Sequence, residues 1–124
     1  MGKRILVIED TEDNRQIIRD LLTSFDYELI EAVDGAEGVA MAQSHRPDLI
    51  LMDIQLPIMD GYEATRRIRA VPELASVPII AVTSYALSGD EAKTREAGCD
   101  GYIAKPFSPR HLLAKVREFL PDAA

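Results

Sequence analysis

The chain has 124 residues, 47% of them hydrophobic and 28% charged, with a formal net charge of −7. That is enough for one domain with a proper core and too little for two. The acidic balance, with a pI near 4.8, argues against non-specific binding to nucleic acid or to an anionic membrane, since both need a basic face.

A single cysteine, Cys99, excludes an internal disulfide and a multi-cysteine zinc site, and suits a small core or surface residue in a reducing compartment. The first residues carry a basic pair but only four apolar residues before Glu9. A signal peptide needs a longer apolar region, and no stretch approaches a membrane span, so a cytoplasmic protein is expected.

Ile5 to Ile8 form a continuous apolar run that ends in two acids, Glu9 and Asp10. Thr11 to Ser24 follow helical spacing, which predicts one apolar face made of Ile17, Ile18, Leu21, Leu22 and Phe25. Tyr27 to Ala32 read as a short strand. Asp34-Gly-Ala-Glu37 is a helix start, with Asp34 as cap and Glu37 three residues on, and that helix runs to about His45. Leu49 to Met52 are a second unbroken apolar run, the mark of a strand buried on both faces. It stops at a carboxylate, Asp53, and Pro57 and Asp60-Gly61 then signal a loop and turn. A carboxylate at the end of a buried strand costs stability unless something compensates it.

A third helix is predicted from Asp60 to Ala70, closing on Arg66, Arg67 and Arg69 as a solvated, dipole-matched end. Val71 to Ser76 read as a loop, and Val77 to Val82 as a strand ending in Thr83-Ser84. Ser88 opens a fourth helix that stops at Gly98. Its only apolar side chains are Ala92 and Ala97, so it is expected to be weakly anchored. Gly101 to Ala104 make a fifth strand before Lys105-Pro106. Ser108-Pro109 cap the last helix, whose stripe is Leu112, Leu113, Val116, Phe119 and Leu120.

Five strand–helix alternations predict an α/β fold, a parallel sheet with helices on both faces. The natural five-strand version is the flavodoxin-like order 2-1-3-4-5, with a switch point between strands one and three. Both acid-tipped strands are those neighbours, so Glu9, Asp10 and Asp53 converge in one crevice. Three carboxylates there call for raised pKa values or a bound cation. Mg²⁺ suits oxygen ligands and keeps waters and phosphate oxygens for the rest of its shell. The fourth and fifth strands deliver a hydroxyl, Thr83, and an ammonium, Lys105, to the same edge. Together these are the parts needed to hold a phosphoryl group while an aspartate attacks it.

The chain resembles the receiver domain of bacterial two-component response regulators over essentially all of residues 1–124. The resemblance rests on Glu9-Asp10, Asp53, Pro57 and Gly61 at the family's spacing, Thr83 and Lys105-Pro106. It implies a phosphorelay switch, similar to the single-domain regulators, that catalyses only its own Mg²⁺-dependent phosphorylation and dephosphorylation. Asp53 is then the phospho-acceptor, Asp10 and the Gln55 backbone carbonyl join Asp53 as metal ligands, and Glu9 acts through water. Thr83 and Lys105 bind the phosphoryl oxygens, with the new bond expected to be one that Thr83 lacks beforehand.

Tyr102 matches the switch aromatic, and the Lys105–Pro106 peptide should be cis. Gln55 and Tyr85 occupy the positions that tune hydrolysis, and their bulk should slow the entry of water. Implied partners are a histidine kinase or histidine phosphotransfer protein and a downstream protein, met through the fourth helix, fifth strand and fifth helix. No nucleic acid or membrane is implied, and the state is a monomer or weak dimer.

Other features weigh less. His45 and His111 lie on helices away from the strand ends, and Met41, Met52 and Met59 suit core or loop packing. A flavodoxin would need a phosphate-cradling loop where Glu9 to Asp13 stand. An aspartyl phosphatase would carry an acid two residues beyond Asp53, where this chain has Gln55. A receiver-shaped adaptor without phosphate chemistry usually lacks the acceptor or the lysine, and both are present.

Overall fold

The apolar runs become the strands of one parallel sheet. The structure, a computed structural model, describes residues 3–83 and 90–120. The elements are β1 (Arg4–Ile8), α1 (Glu12–Thr23), β2 (Glu28–Ala32), α2 (Gly35–His45), β3 (Leu49–Asp53), α3 (Gly61–Arg69), a 3₁₀ turn (Pro72–Leu74), β4 (Ile79–Thr83), α4 (Asp90–Ala97), β5 (Gly101–Ala104) and α5 (Pro109–Phe119). The strand order is β2-β1-β3-β4-β5, the expected doubly wound arrangement. Among the described residues no helix is long and apolar enough to cross a membrane.

Side chains alternate across a strand, so each strand feeds two cores. Leu6, Ile8, Ile50, Met52, Ile79 and Ala81 meet α2 and α3 through Ala42, Ala64 and Ile68. Ile5, Val7, Leu49, Leu51, Ile80, Val82 and Ile103 meet α1 and α5 through Ile18, Leu22, Leu112, Val116 and Leu120. The predicted caps form: Asp34 accepts from the Glu37 N–H at 2.7 Å, Asp60 from Glu63 at 2.9 Å, and Ser108 from His111 at 3.0 Å. Met52 is in the core, with Met41 and Met59 packed against it.

Three expectations change. The apolar face of α1 is narrower than its spacing suggests: Ile18 and Leu22 are buried, but Ile17 is 54% and Phe25 44% exposed. The Phe25 ring is instead covered by the Arg117 guanidinium, 5.2 Å from its centroid.

Arg69 is no solvated helix end. Its guanidinium donates to the carbonyls of Gly98 (2.9 Å), Leu74 (3.0 Å) and Val77 (2.6 Å) and to Asp100 Oδ2 (2.5 Å). It therefore ties α3 to the 3₁₀ turn and to the loop before β5, while Arg66 and Arg67 pair with Glu63 on the surface.

In α4 the buried side chains are Thr94 and Ala97, whereas Ala92 is exposed. Thr94 is tolerated there because its hydroxyl donates to the Glu91 carbonyl at 2.7 Å. The contrast with α5 stands: each of Leu112, Val116 and Leu120 contributes roughly 1.5–3 kcal/mol by burial, and α4 has nothing of that size. Ser88, the predicted start of this helix, lies outside the described residues.

Candidate functional site

In the β1–β3 register Ile8 pairs with Met52, so the next residues, Glu9 and Asp53, leave adjacent strand ends side by side. Asp53 is 4% and Glu9 2% exposed. One carboxylate oxygen from each of Glu9, Asp10 and Asp53 lies within 4.8 Å of the others, and Asp10 stands at the exposed rim. The predicted acidic crevice is present.

Charge and hydrogen bonds hold it together. The Lys105 Nζ donates to Glu9 Oε1 at 2.8 Å and to Asp53 Oδ2 at 3.3 Å. Glu9 also accepts from the Thr11 N–H at 3.1 Å, and Asp53 Oδ1 accepts from the Gln55 N–H at 3.0 Å. Burial and then the neighbouring Glu9 charge push the Asp53 carboxyl up to about 6, against the pull of Lys105. Burial acts the same way on Glu9, but Lys105 and the Thr11 amide outweigh it and leave that carboxyl below its ordinary value. Burial opposes the Lys105 charge, and its two carboxylate partners prevail, raising its pKa. The pocket thus keeps Glu9 and Lys105 ionised and leaves Asp53 as the group poised to change charge.

The loop after β3 folds back onto the end of its own strand. The Gly61 N–H donates to the Ile54 carbonyl at 3.0 Å. A Cβ on Gly61 would sit 2.6 Å from the Asp53 carbonyl oxygen and 2.7 Å from the Ile54 Cα, so only glycine fits. Between them, Ile58 has a φ of 66° and is fully exposed, inside a turn closed by the Met59 N–H to the Pro57 carbonyl at 2.7 Å. A β-branched residue is strained in that region, and such strain gathers at functional loops.

Thr83 ends β4, 2% exposed. Its hydroxyl accepts a hydrogen bond from the Gln55 side-chain Nε2 at 2.5 Å, a contact separate from the bond to a phosphoryl oxygen that Thr83 is expected to gain. The Lys105 N–H donates to the Thr83 carbonyl at 2.7 Å, and the Lys105–Pro106 peptide is cis.

The predicted site residues Glu9, Asp10, Asp53, Gln55, Thr83 and Lys105 therefore meet. Tyr102 lies apart, in a polar groove of about 190 Å³ with Glu91, Thr94, Arg95 and Lys115. His45 and His111 are exposed on α2 and α5, outside the cluster, and Tyr85 lies outside the described residues. Sequence reasoning missed the Gln55–Thr83 contact, which no periodicity signals. It also missed the apolar cleft of about 500 Å³ where exposed Ile17 and half-buried Phe107 flank Glu9 and Lys105; helical spacing put Ile17 on the buried face and gave no sign of it.

A doubly wound sheet with a buried aspartate, two further acids, a hydroxyl and a lysine at its carboxyl edge is the architecture of a phosphorylation-dependent signalling switch. Residues 5–117 match the family model of the response regulator receiver domain, and the chain belongs to that family. It is 43% identical to the polar-differentiation response regulator DivK of Brucella anthropi over 123 residues, 99% of this chain and 100% of that one. The DivK of Brucella ovis is 42% identical over the same span. Among solved structures, the receiver domain of the sensor histidine kinase PA1611 from Pseudomonas aeruginosa, which has a magnesium ion coordinated in its active-site cleft, is similar with a TM-score of 0.90 and 41% identity. That match covers 97% of this chain and 98% of the other. The chemotaxis protein CheY4 of Vibrio cholerae follows at a TM-score of 0.92 and 28% identity, covering 96% and 99%.

Proposed function

We propose that Asp53 is the phospho-acceptor of a phosphorelay receiver that takes its phosphoryl group from a histidine kinase or histidine phosphotransfer protein. The observation that carries this is Asp53 itself, a buried carboxylate shared between Lys105 and the Gln55 amide beside two further acids. Asp10, Asp53 and the Gln55 carbonyl would hold Mg²⁺, with Glu9 behind them through water. The donor set fits: it is all oxygen, and the exposed Asp10 edge leaves room for the waters this ion retains. When bound, Mg²⁺ supplies neutralisation of phosphoryl charge.

Above pH 6 Asp53 is largely ionised and can attack. A carboxylate oxygen forms a bond to phosphorus while the donor's N–P or O–P bond breaks and its electron pair leaves with the donor. Lys105 offsets charge on the phosphoryl oxygens, and the Thr83 hydroxyl donates to one of them. Water later cleaves the acyl-phosphate, slowed by the bulk of Gln55 and Tyr85. The output surface is α4, β5 and α5, where Tyr102 responds to the Thr83 loop and the weakly anchored α4 shifts its populations. The same family reading supports a cytoplasmic protein, a monomer or weak dimer, whose only catalysis is on itself.

Incubation with acetyl phosphate and Mg²⁺ followed by mass spectrometry should place one phosphoryl group on Asp53, and labelling that persists at full yield in Asp53→Ala would overturn the assignment. Amide NMR with beryllofluoride should move residues of the α4–β5–α5 surface. Shifts confined to the surroundings of Asp53 would mean another output route.

A further inference from the structure

Gln55 touches both halves of the site. Its backbone N–H donates to Asp53 Oδ1 at 3.0 Å, and its side-chain Nε2 donates to Thr83 Oγ1 at 2.5 Å. The strands that carry the two partners are neighbours, with Asp53 paired to Val82, so Thr83 is one step beyond the acceptor's own partner. Thr83 is buried, and Gln55 is half-buried at the mouth.

The chemistry of the contact has a direction. A carboxamide nitrogen can only donate, and a hydroxyl has one proton and two lone pairs. Donation by Gln55 occupies a lone pair of Thr83 and turns the threonine proton away from the amide. It also polarises the O–H bond, which makes that hydroxyl a better donor in turn. We infer that Gln55 is a positioning residue: its side chain holds the Thr83 hydroxyl as a hydrogen-bond donor for the phosphoryl group carried by Asp53. Gln55 then acts by the direction of one hydrogen bond as well as by its size. This rests on Asp53 being the acceptor, and it deepens that reading by naming how the acceptor and Thr83 are tied before phosphate arrives.

Size and hydrogen bonding separate in Gln55→Met, which keeps the length of the side chain and removes the donor. Calorimetric titration with beryllofluoride and Mg²⁺ reads the effect. Gln55→Met should bind the mimic roughly five- to tenfold more weakly than the natural protein, the loss expected for one oriented hydrogen bond. In a Thr83→Val background the same replacement should cost nothing further, because the group it positions is gone. At saturating mimic, the Thr83 amide resonance of Gln55→Met should move less than in the natural protein, a readout that simple packing loss would not alter. Unchanged affinity in Gln55→Met, or an equal loss with and without the threonine hydroxyl, would overturn the inference. If the natural protein itself neither binds the mimic nor labels on Asp53, the receiver reading fails first, and that result is distinguishable from a failure at Gln55.

Discussion

The Lys105 ammonium stands nearer to Glu9 than to Asp53, at 2.8 Å against 3.3 Å. Both carboxylates are buried, so this one cation compensates two desolvated charges, and the nearer one keeps its ionised form more easily. Lys105→Met should lower stability at pH 8 by about 3 kcal/mol, since removing one partner leaves buried charge unpaired. The deficit should shrink at pH 5, where a protonated Asp53 needs no counter-ion. Urea denaturation at the two pH values measures this, and an equal deficit at both would count against it.

Asp53 titrates near 6 in the folded chain against an ordinary 3.8. Its folded pKa is raised, so its contribution to stability is full below about pH 4 and is lost as pH rises through 6. A shift of about two units corresponds to about 3 kcal/mol. Asp53→Asn never ionises, so its advantage over the natural protein should grow by about that amount between pH 4 and pH 8. Denaturation in chelator across this range tests it, and a difference that stays flat would refute the burial account of Asp53.

Glu9 is occupied by Lys105 and the Thr11 amide, while Asp10 faces solvent at the rim. Mg²⁺ affinity should therefore suffer more in Asp10→Asn than in Glu9→Gln. Loss of a group acting through another ligand typically costs 10–100-fold, and a direct ligand should cost at least that. Calorimetry ranks the two variants, and the reverse order would exchange their assigned roles.

Arg69 satisfies three backbone carbonyls and Asp100 at once. Arg69→Leu should cost about 2–4 kcal/mol, the toll of leaving several partly buried acceptors without a donor. Arg69→Lys should recover only part, because an ammonium lacks the planar fork that spans these partners. Equal stability of the lysine variant and the natural protein in urea would show that charge alone suffices.

The fold was legible because apolar runs, caps and glycines act locally. Asp34, Asp60 and Ser108 each announce a helix that is there, and two acid-tipped runs announce the crevice. What stayed hidden depends on long-range contact. Spacing could not tell that Ile17 sits just outside the buried stripe of α1, nor that Thr94 rather than Ala92 faces inward on α4. Arg69 looks like its neighbours Arg66 and Arg67 until the loop before β5, some thirty residues on, comes to meet it. The reach of Gln55 to Thr83 joins residues 28 apart, and no periodic pattern carries that information.

The pairing of Ile8 with Met52 has a further meaning. Facing side chains reverse sides when a strand slips by one residue, so a misaligned β3 would carry Asp53 to the opposite side of the sheet from Glu9. Helix content and bulk compactness would hardly change, but the three acids would no longer share a point in space. The acidic cluster is thus a gauge of strand alignment. A divalent-cation titration of a variant that keeps Glu9, Asp10 and Asp53 measures whether the sheet has closed in its native registration, something that circular dichroism cannot see.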